Sequence, residues 1–260
     1  MRILFAISCF EVGGTEHHAL KAMRALEDAG HEVAVIVGRA EGELLDEFRA
    51  QFRIFTYHIT SLTSPTLFSA AREIRAALDE WKPDVVHSLD KYSNVLLLPI
   101  ARLFGSARVV GSKRWFRYVP KKYHLLNVAS FKFAHVVTAN GAAIRDSLIA
   151  SDGVPAQKAT VIWNIIEEPL FVRPELQWLE QRRRDFALPD GAPVVGMVAR
   201  FNPIKDHATF VRSMALVIAQ RPDAIGVCVG DGAELQSTKD LALQLGIPES
   251  MRFVGYQPNS

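Results

Sequence analysis

The sequence predicts an α/β protein built from two parallel-sheet domains, the second incomplete. Three observations carry this. Short β-branched runs alternate with amphipathic helical patterns from the first residue onward, which is the mark of βαβ units with helices covering both faces of a parallel sheet. The alternation breaks between Asn164 and Trp178, a stretch with two prolines and no sustained periodicity, and then restarts. At 260 residues, 49% hydrophobic and 22% charged, the chain has enough apolar material for a full core, so disorder, collagen and coiled coil are excluded.

Ile3–Ser8 reads as the first strand, Thr15–Ala29 as a helix closed by Gly30, and Glu32–Val37 as the second strand. A short helix at Leu44–Gln51 precedes a strand at Ile54–Ile59. The next helix opens on Ser64-Pro65, an N-cap followed by proline at the first helical position. Its Leu67, Ala71, Ile74, Leu78 and Trp81 step by fours and threes along one face, and Lys82-Pro83 ends it. Strands follow at Asp84–His87, Arg108–Gly111, Val136–Ala139 and Thr160–Trp163, with helical patterns between them. The boundary is placed after residue 168, giving domains 1–168 and 169–260. The second opens on a charged helix at Glu180–Phe186. It continues with strands at Pro193–Arg200, Ala224–Gly230 and Met251–Gly255, and with helices over Ala208–Ala219 and Glu234–Leu245. Gln257-Pro-Asn-Ser260 reads as a loop awaiting its next helix, so the second domain is expected to be unfinished.

The 30 basic and 28 acidic residues leave 30 − 28 = +2, which excludes a general polyanion binder, and nucleic acid is not an expected partner. Cys9 and Cys228 lie far apart, each in an apolar run, which fits a reducing compartment. The N-terminal apolar run stops at Glu11 with no small-residue cleavage site after it. Val95–Ala101 is far shorter than the ~20 residues a membrane helix needs. A soluble, cytoplasmic protein is expected.

Ligands of open parallel sheets bind beyond the carboxyl ends of the strands. The first such loop, Glu11-Val-Gly13-Gly14-Thr15, offers glycines and a helix N-terminus that suit a phosphate or carboxylate; a tight turn without a ligand is the alternative. It is neither Gly-x-Gly-x-x-Gly nor a Walker loop. In the second domain Arg200-Phe-Asn-Pro-Ile-Lys205 follows a strand and precedes a helix. Two cations five positions apart can converge there on one pyrophosphate, Arg as a planar fork and Lys as a point charge, unless both are simply solvated. Val229-Gly-Asp-Gly-Ala-Glu234 ends the next strand at the same edge. His87, at the end of the fourth strand, and Asp90 in the loop after it are candidate acceptor ligands or a weak base. Lys113–Tyr123 holds five cations, four aromatics and no acid. Such a composition suits an anionic membrane surface or acceptor, or else a solvated face. His17-His18 cannot face a single ion from adjacent helical positions.

The ordered series resembles the retaining GT-B glycosyltransferases of family 4. It comprises Gly13-Gly14-x-Glu16 leading to Ala29-Gly-His-Glu-Val33, then Asp84-Val-Val-His87, Val161-Ile-Trp-Asn164, Val198-Ala-Arg200 with Lys205-Asp206, Gly230-Asp-Gly-Ala-Glu234 and Phe253-Val-Gly255. The resemblance implies two Rossmann-like domains and transfer of a sugar, with retention, from a nucleotide-sugar donor to a saccharide or lipid-linked acceptor in cell-envelope or lipopolysaccharide synthesis. It implies Arg200 and Lys205 as catalytic residues. Gly13, Gly14, Asn202, Gly230, Asp231, Gly232 and Phe253 would bind donor, and Glu16, His87, Asp90, Lys113 and Arg114 would lie on the acceptor side. No metal or other cofactor is implied, and the Lys113–Tyr123 segment would meet a membrane peripherally. Two features depart from the family pattern. The only Glu-x7-Glu spacing, Glu167 and Glu175, precedes the Arg/Lys site instead of following it. The loop after the fifth strand carries Ser112-Lys113-Arg114-Trp115 where relatives carry a histidine. The alternatives are a non-catalytic nucleotide-binding fragment or paralogue and a GT-B nucleotide-sugar epimerase.

Overall fold

The computed structural model describes residues 1–60, 66–115, 121–166 and 172–257. The chain folds as two compact units, Met1–Glu167 and Glu168–Ser260. Unit 1 is the alternating βα chain that its sequence predicts. Its strands are β1 Arg2–Ile7, β2 Glu32–Val37, β3 Arg53–Thr56, β4 Val85–Ser88, β5 Arg108–Lys113, β6 Val136–Ala139 and β7 Ala159–Val161. They form one sheet in the order β3-β2-β1-β4-β5-β6-β7, every pair parallel. The helices are α1 Gly14–Asp28, α2 Leu45–Gln51, α3 Thr66–Trp81, α4 Lys91–Phe104, α5 Lys121–Phe131 and α6 Ala142–Ala150.

Alternation along each strand feeds two cores. On one face Leu4 and Ala6 of β1 pack with Ile74 and Leu78 of α3 and Leu97 of α4. On the other, Ile3, Phe5 and Ile7 pack with Leu20 and Met23 of α1 and Phe48 of α2. The chain first builds outward through β2 and β3, then returns to the far side of β1 for β4. The strand order therefore reverses between β1 and β4, the switch point at whose carboxyl ends such sheets bind their ligands.

Unit 2 contains α7 Leu176–Asp185, β8 Val194–Val198, α8 His207–Gln220, β9 Ile225–Val229, α9 Leu235–Gln244 and β10 Met251–Phe253, with a parallel sheet ordered β10-β9-β8. Phe201, Val211, Met214, Cys228, Ala242 and Met251 form its larger core.

Several element ends differ from the sequence reading: β5 runs on to Lys113, while β7, β8 and β10 stop at Val161, Val198 and Phe253, short of the expected ends. β3 stops at Thr56 instead of Ile59 because its single neighbour, β2, ends at Val37, the residue paired with Thr56. α7 begins four residues earlier than expected, at Leu176, with Glu175 as an extended N-cap, and buries none of its residues. The Ser64-Pro65 start expected for α3 lies outside the described residues. Among those that are described, no helix is long and apolar enough to cross a membrane.

Candidate functional site

In unit 1 the predicted residues gather at the switch point. Gly13 caps α1 in extended backbone (φ −157°, ψ 163°) without a side-chain cap, a conformation open to any residue. The glycine pair is therefore not required by dihedral angle. Glu16 folds its carboxylate back over Gly13 and accepts a hydrogen bond from its own N–H. Burial pushes the Glu16 pKa up, Asp90 and Glu11 add to the rise, and Arg114 opposes it.

Asp90 caps α4. Its Oδ1 accepts from the amides of Tyr92 at 2.8 Å and Ser93 at 3.0 Å, and its Oδ2 accepts from Ser93 Oγ at 3.0 Å. Those bonds hold the ionised form, yet burial outweighs them and raises the Asp90 pKa. Buried Tyr57 stands behind it, its phenol pushed above the usual range by burial first and by the Asp90 charge second.

His87 lies beside Phe5 in β1 and Val110 in β5. Its Nε2 meets Ser112 Oγ at 3.0 Å, and Ser112 Oγ meets Thr138 Oγ1 at 2.8 Å, a polar chain across three neighbouring strands. Burial, then the His18 and Arg114 charges, push the His87 pKa down to about 3. Arg114, past the end of β5, donates to Asn164 Oδ1 at 2.5 Å.

His18 belongs to this group, although sequence reasoning set it aside as half of a histidine pair. His17 is exposed, whereas His18 is buried, and its Nδ1 has no hydrogen-bond partner among the described residues. Burial first and Arg114 second push its pKa down to about 4. The signal was available: His18 precedes Ala19 and Leu20 on the inward side of α1. Both histidines are thus neutral at pH 7 and present hydrogen-bonding groups instead of charges.

The sign of their contribution follows from linkage. Each folded-state pKa lies below the 6.5 of an unperturbed histidine, so the unfolded chain binds more protons in acid. The stabilisation is complete above about pH 6.5 and is lost as pH falls toward 4, at about 1.4 kcal/mol per pH unit for each histidine. Urea unfolding followed by circular dichroism between pH 7 and pH 5 should show His18→Gln with the shallower slope by that amount. Identical slopes would mean that His18 is not held neutral by the fold.

The basic surface expected from Lys113 to Tyr123 needs correction. Lys113 is buried, with its Nζ on Asp152 Oδ2 at 2.6 Å and on Ser147 Oγ at 3.0 Å. Its four-carbon stem lets a strand-end lysine reach an inward acid, so it is not an acceptor-side surface cation. Lys121 is exposed, and Tyr123 packs edge-on against Tyr92 at 6.0 Å. Residues 116–120 and the Lys122 side chain lie outside the described residues.

In unit 2 the predicted donor residues also meet at a sheet edge. Arg200 is exposed after β8, and Lys205 is exposed at the end of a 3-10 turn, Pro203–Lys205. Asn202 caps that turn by accepting from the Lys205 amide at 3.2 Å. Asp206 then takes a left-handed conformation (φ 56°, ψ 51°) and caps α8 through Thr209. The loop behind it is held by backbone: the Phe201 N–H donates to Asp231 O at 2.9 Å and the Glu234 N–H to Phe201 O at 3.2 Å. Gly230 (φ 137°) and Gly232 (φ 148°) make this approach possible, because a Cβ at either would overlap the carbonyl of Ala199 or Phe201. Left-handed backbone alone also disfavours other residues there. Sequence reasoning missed His207, which is fully buried and stacked on Phe201 with centroids 3.9 Å apart at 15°, fixing the root of the cation loop. Phe253 sits next to Phe201 at 6.3 Å.

Comparison with known proteins agrees with this layout. Residues 12–168 match the family model described as Glycosyltransferase Family 4, and residues 180–260 match Glycosyl transferases group 1. No curated protein sequence matches the chain. Solved structures resemble it at low identity. Anabaena HepE in complex with UDP and glucose is 17% identical with TM-score 0.82, covering 99% of this chain and 70% of that one. A glycosyltransferase from Rickettsia africae is 17% identical with TM-score 0.79, covering 99% and 69%. The lipopolysaccharide outer core galactosyltransferase WaaB is 16% identical with TM-score 0.71, covering 99% and 69%. At such identity these likenesses establish the GT-B type of fold and nothing finer. With more than half its length matched by the family model, the chain belongs to glycosyltransferase family 4.

Proposed function

We propose that the protein transfers a sugar, with retention, from a nucleoside-diphosphate-sugar to a hydroxyl of a saccharide or lipid-linked glycan. The observation that carries this reading is the loop after β8. It presents exposed Arg200 and Lys205 from a root locked by the Gly230–Gly232 turn and the Phe201–His207 stack. Departing diphosphate gains negative charge as the sugar bond breaks, and cations already fixed in place meet it without reorganisation. The HepE structures that hold UDP, or UDP-glucose, support a uridine diphosphate sugar as the first donor to try. In unit 1, Glu16, Arg114 and the neutral His18 and His87 would orient an acceptor hydroxyl. In this reading the Arg200/Lys205 pair meets the diphosphate charge without a metal.

Calorimetric titration with UDP-glucose, UDP and GDP-mannose, paired with detection of released nucleoside diphosphate, tests this. Saturable binding of at least one nucleotide sugar is expected, weakened in Arg200→Ala, with turnover indifferent to a chelator. Absence of any nucleoside diphosphate binding by the folded protein would overturn the reading.

A further inference from the structure

The amino edge of the unit 1 sheet, at the far end of the strands from the candidate site, carries a basic surface with an apolar tip. Neighbouring strands open there: Arg108 begins β5, His135 directly precedes β6, and Lys158 directly precedes β7. α4 ends at the same edge in Arg102-Leu103-Phe104, with Gly105 as its C-cap. We propose that this edge docks unit 1 on an anionic lipid bilayer, with Leu103 and Phe104 entering the interface and the cations meeting lipid phosphates.

The cations stand close together, without acids of their own. His135 Nδ1 accepts from the Val109 amide at 2.9 Å, which seats the ring between β5 and β6. Burial first, then Arg102, Arg108 and Lys158 in turn, push its pKa down, so all three charges reach one imidazole. None of the three forms an ion pair among the described residues. The nearby acids are engaged elsewhere: Asp79 faces Arg75 at 3.7 Å, and Asp84 accepts from the Arg2 amide at 2.8 Å. Like charges gathered in this way repel one another, and an anionic surface relieves that repulsion.

The apolar tip decides between a bilayer and a dissolved anion. Leu103 is 63% and Phe104 53% exposed, two adjacent large side chains left to water at a helix end. Arg75 of α3 adds a further cation, 5.1 Å over the Phe104 ring. Basic side chains around exposed apolar ones match a bilayer interface, where charges meet headgroups and apolar groups reach the acyl boundary. A free phosphate would engage the cations and leave Leu103 in water. Docking here also keeps the candidate site open. β5 runs six residues, from Arg108 at this edge to Lys113 at the other, or about 20 Å, so His87 and Arg114 stay a strand length from the lipid. The surface is distinct from the Lys113–Tyr123 segment, and the inference does not depend on the sugar-transfer reading.

Sedimentation with phosphatidylcholine vesicles, with and without phosphatidylglycerol, tests it. Binding is expected only where phosphatidylglycerol is present, and it should fall as salt screens the surface. Arg102→Gln/Arg108→Gln should weaken it about thirtyfold, and Leu103→Ser about tenfold, with circular dichroism unchanged. Lys121→Glu, at the carboxyl edge, should bind as the parent does. Cys9 and Cys228 are buried, so an environment-sensitive dye on Leu103→Cys should report entry into the interface by a blue shift. No binding to either kind of vesicle overturns the proposal and leaves an acidic protein surface as the occupant. Equal binding with and without phosphatidylglycerol overturns it too, as does binding that Lys121→Glu removes and both amino-edge variants keep.

Discussion

Lys205→Ala is expected to fold as the parent does and to lose about 10²–10³ in turnover, or about 2.7–4 kcal/mol of transition-state stabilisation. Lys205 is exposed on the loop after β8. Its backbone amide, not its side chain, makes the recorded bond to Asn202, so truncation leaves the turn intact. The stability change should stay within about ±0.5 kcal/mol, as for surface positions generally. The loss should fall on kcat more than on KM, because charge on the departing diphosphate is greatest in the transition state. Arg200→Lys should be impaired as well, since a point charge cannot reproduce a planar fork. Near-parental turnover of Lys205→Ala at saturating donor would remove this lysine from the diphosphate site.

Asp152→Ala is expected to be the most damaging single change to unit 1, at about 3–5 kcal/mol. The side chains of Lys113 and Asp152 are 5% and 1% exposed, so removing the acid strands an ammonium with Ser147 as its one remaining hydrogen-bond partner among the described residues. The double variant Lys113→Met/Asp152→Leu should recover most of the loss and could equal or exceed the parent, because both desolvation costs disappear together. Urea midpoints of the two variants and the parent decide the matter. If the double variant were no better than Asp152→Ala, the damage would come from packing and not from an uncompensated charge.

The strand series was legible because the sheet of unit 1 is covered on both faces, so each strand announces itself as a β-branched run. Element ends were less legible where pairing set them, as at β3, whose length depends on where β2 stops. The first turn of α7 was missed because the helix buries nothing and so lacks an apolar stripe. Among the site residues, Arg200, Lys205, Gly230 and Gly232 stood out through composition and position in a loop. Lys113 was misplaced because local sequence cannot show that an acid 39 residues away waits beneath it. His18 was passed over because its chemistry comes from neighbours on other elements: His87 on β4 and Arg114 after β5. Local pattern puts His18 on the inward side of α1, and burial with Arg114 nearby then makes it neutral.

The two glycines of the β9 turn bear on how this edge of unit 2 changes over generations. Any side chain at Gly230 or Gly232 runs into the carbonyl of Ala199 or Phe201, and moving those carbonyls would pull on both strands at once. Mutational drift is therefore blocked at the root of the loop pair. At the tip, Pro203, Ile204 and Lys205 are all exposed, and the capping bond from Asn202 reaches only a backbone amide, which every residue but proline supplies. With Lys205 held by its proposed role at the diphosphate, heritable variation is channelled to Pro203 and Ile204, so ligand preference at this edge can diversify there while the frame beneath it stays constant.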